Sequence, residues 1–407
     1  MRVTRFLIAC ALLLAVTCVQ AAPVLDAGAQ QKIDEIVNAA ISKHSTPSCC
    51  VVIGTKDQVL FAKAYGRLTY DADAPLATLD TLYDMASCSK AVGTTSALAL
   101  LLQDGKVSLD DPVSKYLPSW DRDDRRTVTI RNLATHTSGL PSYTSAAKTE
   151  AARRPWDSHP TALIKYIASL PLIYKTNEGS TYACLNFLTL ARVNEEAAGL
   201  SQERLLHERL FGPLGMDNSG YYLSHKQKLL AAPTVGGKSF RQGIVHDPLA
   251  LYYRDGYHCP GNAGLFTTGN DLSKFCRMIL SDGTWNGKRI FTPETIDLFS
   301  TNYQPETLES VHGIGWGISR RVPYATSLNV GTKKACITHS GYTGTFILMD
   351  RLAGAFMIVL TNSVYPDDTS PGAGITRTVR TVMLETDPLY KDLPEIHQQR
   401  RPPVGGK

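Results

Sequence analysis

Within the stretch DMASCSKAVGTT, residues 84–95, three side chains that can carry a nucleophile stand in a row, Ser87, Cys88 and Ser89, and an amine that can activate one follows at Lys90. From Ser87 through Gln103 the chain is apolar on nearly every side and is closed by Asp104-Gly105, which reads as a buried helix with Ser87 at or beside its N-terminus. Residues three apart on such a helix share a face, whereas neighbours one or two apart diverge by roughly 100° or 200°. Lys90 therefore meets Ser87 rather than Ser89 or Cys88. A serine hydroxyl becomes a useful nucleophile when a base takes its proton, and a lysine serves if burial lowers its pKa. The positive end of the helix dipole favours a developing oxyanion at the same place. The spacing alone also fits a plain helix start, and Cys88 reads as a packed thiol or half of a disulfide.

The elements that must hold this pair come from both ends of the chain. Residues 26–43 place Ile33, Ile36, Val37 and Ala40 at helical spacing. CVVIGT and QVLFAKAYG, separated by Lys56-Asp57, read as a hairpin. Near the far end, GWGIS (315–319), ACITHS (335–340), GTFILMD (344–350) and AFMIVLTN (355–362) read as further strands, and Ile375, Val379, Val382 and Met383 share one face of a last helix. The expectation is an α+β fold: one antiparallel sheet assembled from the two chain ends (residues 26–86 and 306–392) and flanked by helices, with a mainly helical lobe over 87–305. A cleft between the two lobes is a natural binding site.

The first residues form a leader rather than part of the fold. Arg2 and Arg5 precede an apolar run, Phe6 to Val19, that ends at the small residues Ala21 and Ala22. This is the secretory pattern and too short for a membrane span. The chain then divides into a leader 1–21, one domain 22–392 and a polar tail 393–407, and the mature protein is expected to be exported and soluble, without a lipid tether or a spanning segment. Losing Arg2 and Arg5 takes the formal charge from +5 to +3, and no basic, aromatic-laced surface suggests a nucleic-acid partner. Seven cysteines remain, at 49, 50, 88, 184, 259, 276 and 336; the odd number leaves at least one unpaired or paired between chains. No ligand spacing supports a metal at His246, Asp247, His258 and Cys259, and no cofactor is called for.

S-x-x-K is the serine motif of the penicillin-recognising serine hydrolases, and further stretches match in order. The chain resembles the class C β-lactamase-like family, with its D,D-peptidase and esterase relatives, from about residue 45 to 390. The resemblance is carried by YDMASCSKAVGTT, TIRNLATHTSGLPSY (129–143), FGPLGMDNS (211–219), GNAGLFTTGNDLSKF (261–275) and ITHSGYTGT (337–345). It implies that Tyr182 is the family's tyrosine, passing a proton between Ser87, Lys90 and a leaving group, and that the backbone N–H groups of Ser87 and Tyr342 form the oxyanion hole. His339, Ser340 and Gly341 stand where the family commonly has Lys-Thr-Gly. Gly341 would let a substrate backbone approach, and a histidine titrating near neutrality would hold a substrate carboxylate less well above neutral pH. Cys184 stands where the family has an asparagine, a thiol where an amide would grip the substrate. A Cys88–Cys184 bridge follows as a further expectation. His136, Thr137 and Ser138 read as a structural turn, and His246 and Asp247 as a loop bordering the cleft without a catalytic role.

The resemblance implies hydrolysis of an amide or ester through a Ser87 acyl-enzyme, on a β-lactam or a D-Ala-D-Ala-type peptide. Loss of the Asn and the Lys favours an ester as the alternative. A protein that keeps the fold only to bind cell-wall ligands is a second alternative.

Overall fold

The structure is a computed structural model that describes residues 25–308, 311–318, 335–368 and 375. The expected leader and tail, with most of the last expected helix, lie outside the described residues. No helix among those described is long and apolar enough to cross a membrane.

Six strands form one antiparallel sheet: β1 (Ser48–Thr55), β2 (Val59–Gly66), β3 (Gly317–Ile318), β4 (Cys336–Ser340), β5 (Phe346–Asp350) and β6 (Ala355–Thr361). Their order is β2-β1-β6-β5-β4-β3. The first strand thus pairs with the last, Cys49 opposite Thr361 and Thr55 opposite Ala355. Both central strands are covered on both faces, which is why they read as unbroken apolar runs rather than alternating ones. Cys49, Val51, Ile53, Met357 and Val359 face α1 (Ala27–Ser42) through its buried Ala29, Ile33 and Val37. Cys50, Val52, Phe356, Ile358 and Leu360 point the other way into the main core. Burying a side chain such as Ile33 is worth about 1.5–3 kcal/mol, and Leu25 and Ile375 join the helix in covering this face.

Between the sheet halves the chain is mainly helical, as expected. The segment carrying Lys90 is π-helical over Lys90–Thr95 and runs into α2 (Ser96–Gln103), whose Ser96 to Leu101 are buried. Sequence periodicity gives no sign of the wider turn. The Thr95 hydroxyl donates to the Lys90 carbonyl at 2.8 Å, and Gly93 leaves room for the Tyr221 hydroxyl where any Cβ would collide. Then follow α3 (Ile130–Ala134), α4 (Cys184–Ala198), α5 (Pro248–Tyr253) and α6 (Gly269–Leu280). The last of these packs on the sheet, with Gly269 so close to Cys50 that a Cβ would lie 2.5 Å from its sulfur.

Candidate active site

Ser87 lies in the turn between a short extended segment and the Lys90 helix, and it alone of the three candidate nucleophiles is partly open to solvent. The residue before it, Ala86, has φ +44°, a left-handed conformation that costs a non-glycine residue of order 1 kcal/mol or more. The buried carboxylate of Asp84 holds it there by accepting the Ala86 N–H at 2.8 Å, and accepts the His246 N–H at 2.7 Å as well. Burial raises the Asp84 pKa, and these two N–H groups work against the rise.

Lys90 is fully buried, and its amine donates to Ser87 Oγ at 2.9 Å and to the Asn262 carbonyl at 2.8 Å. Its Nζ lies 5.1 Å from the ring centre of Tyr182. Burial works to lower its pKa, but the neighbouring Tyr182 phenol and Cys184 thiol, with Asp247 behind them, favour the ammonium and leave it raised above the ordinary lysine value. This direction is opposite to the lowering that burial alone would give. Ser89 is enclosed, its hydroxyl accepting the Leu265 N–H at 3.0 Å.

Cys88 faces away from Lys90, as helical spacing requires. Its sulfur contacts the His339 carbonyl at 3.5 Å and the Thr345 hydroxyl at 3.7 Å, and burial pushes the thiol up to about 12. The expected Cys88–Cys184 bridge is not formed. The reason is the one that separates Cys88 from Lys90: Cys184 bears on the amine's side of the helix and Cys88 on the sheet's side.

Tyr182 is 47% exposed, so it is a solvent-accessible side chain rather than a core aromatic. Cys184 is the first residue of α4, held by its N–H donating to the Ser142 carbonyl at 2.8 Å. On the opposite side, the turn between β4 and β5 is fastened to the serine segment. The hydroxyls of Thr343 and Thr345 donate to the carbonyls of Asp84 (2.7 Å) and Met85 (3.0 Å). This holds Gly341, the residue before Tyr342, against Met85 and Ala86. Neither the Ser87 nor the Tyr342 N–H finds a backbone or side-chain acceptor among the described residues. Gly341 serves that junction: a Cβ there would lie 2.5 Å from the Met85 carbonyl oxygen. The Thr345 hydroxyl would lie nearer still, and the Ala86 Cβ at 3.3 Å.

His339 differs most from expectation. It is buried, and Nδ1 bonds the adjacent Ser340 carbonyl at 2.9 Å. Burial, then the Lys90 charge and His312, lower its pKa to about 3. The ring is neutral throughout the neutral range, so it does not titrate where an isolated histidine would. Ser340 is exposed beside it. At the rim the Tyr342 ring stacks on His246 at 5.8 Å. Asp247 caps α5, accepting the Ala250 N–H at 2.7 Å, and also accepts from the Tyr143 hydroxyl at 3.0 Å and Asn262 Nδ2 at 3.1 Å. No group of three or more His, Cys, Asp or Glu among the described residues is disposed to hold a metal.

Sequence reasoning missed one group here, and named Asp247 as a cleft-border residue without its contacts. The Asn262 carbonyl that holds Lys90 is a backbone atom, which no side-chain pattern reveals, although it lies in a stretch that carries the family resemblance. Asp247 announces itself only as Asp-Pro before an apolar run, an N-cap followed by proline at the first helical position.

The Beta-lactamase family model matches residues 30–378. A protein of Escherichia coli named "Putative D-alanyl-D-alanine carboxypeptidase" is 25% identical over 354 residues, 80% of each chain. Among solved structures, the octameric penicillin-binding protein homologue from Pyrococcus abyssi superposes with TM-score 0.68 at 23% identity, covering 90% of this chain and 80% of that one. A beta-lactamase/D-alanine carboxypeptidase from Pseudomonas syringae gives TM-score 0.69 at 15% identity, covering 89% and 99%.

Proposed function

The chain belongs to the Beta-lactamase family, and from that premise we propose that it is a serine hydrolase that cleaves an amide or ester through an acyl-enzyme on Ser87. The observation that carries the reading is the 2.9 Å hydrogen bond from Lys90 Nζ to Ser87 Oγ at the one serine of the motif open to the cleft. With the amine donating to Oγ, the serine's own proton is free to leave toward another group. Tyr182, beside the Lys90 cation, takes it as Oγ attacks the acyl carbonyl, and delivers it to the departing amine or alcohol. The ammonium favours the phenolate from which this transfer starts and to which it returns. The N–H groups of Ser87 and Tyr342 receive the oxyanion, and water then releases the acyl group.

The favoured substrates are β-lactams and D-alanyl peptides, in line with the name of the Escherichia coli relative. A second reading, an esterase, is favoured by a specific pair of observations: an uncharged ring at His339 and a thiol at Cys184 leave less to grip a carboxylate and an amide. Export, supported by the leader-like residues 1–21, would bring the enzyme to cell-wall peptides; an exported chain beginning at Ala22 or Pro23 by N-terminal sequencing supports it, and one retaining Met1 refutes it.

The test is incubation with a fluorescent penicillin, a chromogenic cephalosporin and p-nitrophenyl esters, with Ser87→Ala alongside. Lactam labelling or turnover selects the first reading, and ester turnover alone the second. Activity that survives Ser87→Ala, or none with any acyl donor, overturns the serine mechanism and leaves ligand binding as the remaining role.

A further inference from the structure

Tyr182 stands in an irregular stretch immediately before α4, where no regular hydrogen-bond ladder fixes it. Its two neighbours are nevertheless tied, both to one residue. The Thr181 N–H donates to the main-chain carbonyl of His136 at 3.1 Å, and the Ala183 N–H donates to the ring Nδ1 of the same histidine at 3.1 Å. The imidazole lies against the phenol itself, ring centres 4.6 Å apart. His136 holds φ +63° to do so, a conformation uncommon outside glycine. Its carbonyl also receives the Tyr174 hydroxyl at 3.4 Å.

The ring's tautomer is dictated by its surroundings. The Ser138 hydroxyl donates to Asn186 Oδ1 at 2.6 Å, which turns Asn186 Nδ2 toward His136 Nδ1 at 3.2 Å. With two N–H groups aimed at it, Nδ1 carries a lone pair and the proton sits on Nε2, which has no partner. Only a neutral imidazole can accept there, and burial, followed by His312, Lys90 and His339, lowers its pKa well below the ordinary value. A ring serving merely to fill the core needs neither the bond from the Ala183 N–H nor the left-handed backbone.

We propose that His136 is the positioning residue of Tyr182, fixing the phenol over Lys90 by accepting the N–H groups of both residues that flank it. The proposal rests on the serine-hydrolase reading for its catalytic consequence. A misplacement of about 1 Å at a catalytic group costs on the order of 100-fold in rate, so the effect falls on kcat while KM stays near its wild-type value.

The experiment compares three side chains. Asparagine tolerates the left-handed backbone and puts its oxygen near the place of Nδ1; glutamine reaches instead toward Nε2; leucine offers no acceptor. Ser87-dependent turnover of a p-nitrophenyl ester is measured per acylatable site, and 19F spectra are recorded with 3-fluorotyrosine at position 182. His136→Asn is expected to keep kcat within about threefold and a wild-type resonance. His136→Gln and His136→Leu are expected to lose about 100-fold in kcat at unchanged KM, with a shifted or broadened resonance. The proposal is overturned if Gln and Leu keep wild-type kcat per site and the wild-type resonance, or if Asn is impaired as much as they are. Should the wild type show no Ser87-dependent turnover, the hydrolase reading fails, and the 19F comparison alone decides the placement of Tyr182.

Discussion

The neutral state of His339 makes a prediction about charge that separates this site from one with a lysine in the same place. A ring with a pKa of about 3 is protonated in only about 0.3% of molecules at pH 5.5 and less above it, whereas one with an ordinary pKa of about 6.5 would go from about 90% to about 1% between pH 5.5 and 8.5. A charge-assisted hydrogen bond to a carboxylate is worth about 1.5–3 kcal/mol, or roughly 10- to 100-fold. The assay is a matched pair of thioesters with one acyl group, whose leaving groups are thioglycolate and its uncharged amide, followed by thiol release. Taking the ratio of their kcat/KM values cancels whatever pH dependence both substrates share. The ratio is expected to stay flat within about twofold from pH 5.5 to 8.5, and His339→Lys should raise it about tenfold at every pH. A tenfold fall in the wild-type ratio centred near pH 6.5 would show that the ring carries charge and that its burial has been misjudged.

Glu195 gives a test of stability. It is buried, accepts the N–H groups of Cys259 (2.9 Å) and Gln202 (3.3 Å), and burial raises it to about 7. Because the folded pKa exceeds the unfolded one, its favourable contribution is complete below about pH 4.5 and is lost as pH rises through 7, a span of about 3 kcal/mol. Glu195→Gln, neutral throughout, should therefore gain about 1–3 kcal/mol relative to wild type between pH 5 and pH 8 in urea unfolding, and an unchanged difference refutes the assignment. At Gly341→Ala the new Cβ presses on the Met85 carbonyl, so the serine segment must shift; Ser87 acylation should slow at least about tenfold, and a wild-type acylation rate would show that the junction has slack.

What the sequence discloses divides along physical lines. The central strands were readable because burial on both faces leaves them uniformly apolar, and the pairing of Ser87 with Lys90 because helix geometry is local. Tyr182 came from resemblance rather than from spacing, since nothing in the chain between 90 and 182 tells how those residues meet. The charge states of Lys90 and His339 depend on which groups surround them and how much water is excluded, and neither appears in a list of residue types. For the same reason His136 looks like an ordinary turn residue: its contacts are with backbone groups of residues 45 and 47 positions away.

The pairing of β1 with β6 also governs how the chain can acquire its shape. Cys49 waits for Thr361, so during synthesis the β1–β2 hairpin exists for most of elongation with one long apolar flank unpaired. Such distant closure is slow, and an open flank invites association with another chain. Newly made molecules are thus most exposed to aggregation, and most in need of a holding partner, during the interval before the last two strands emerge.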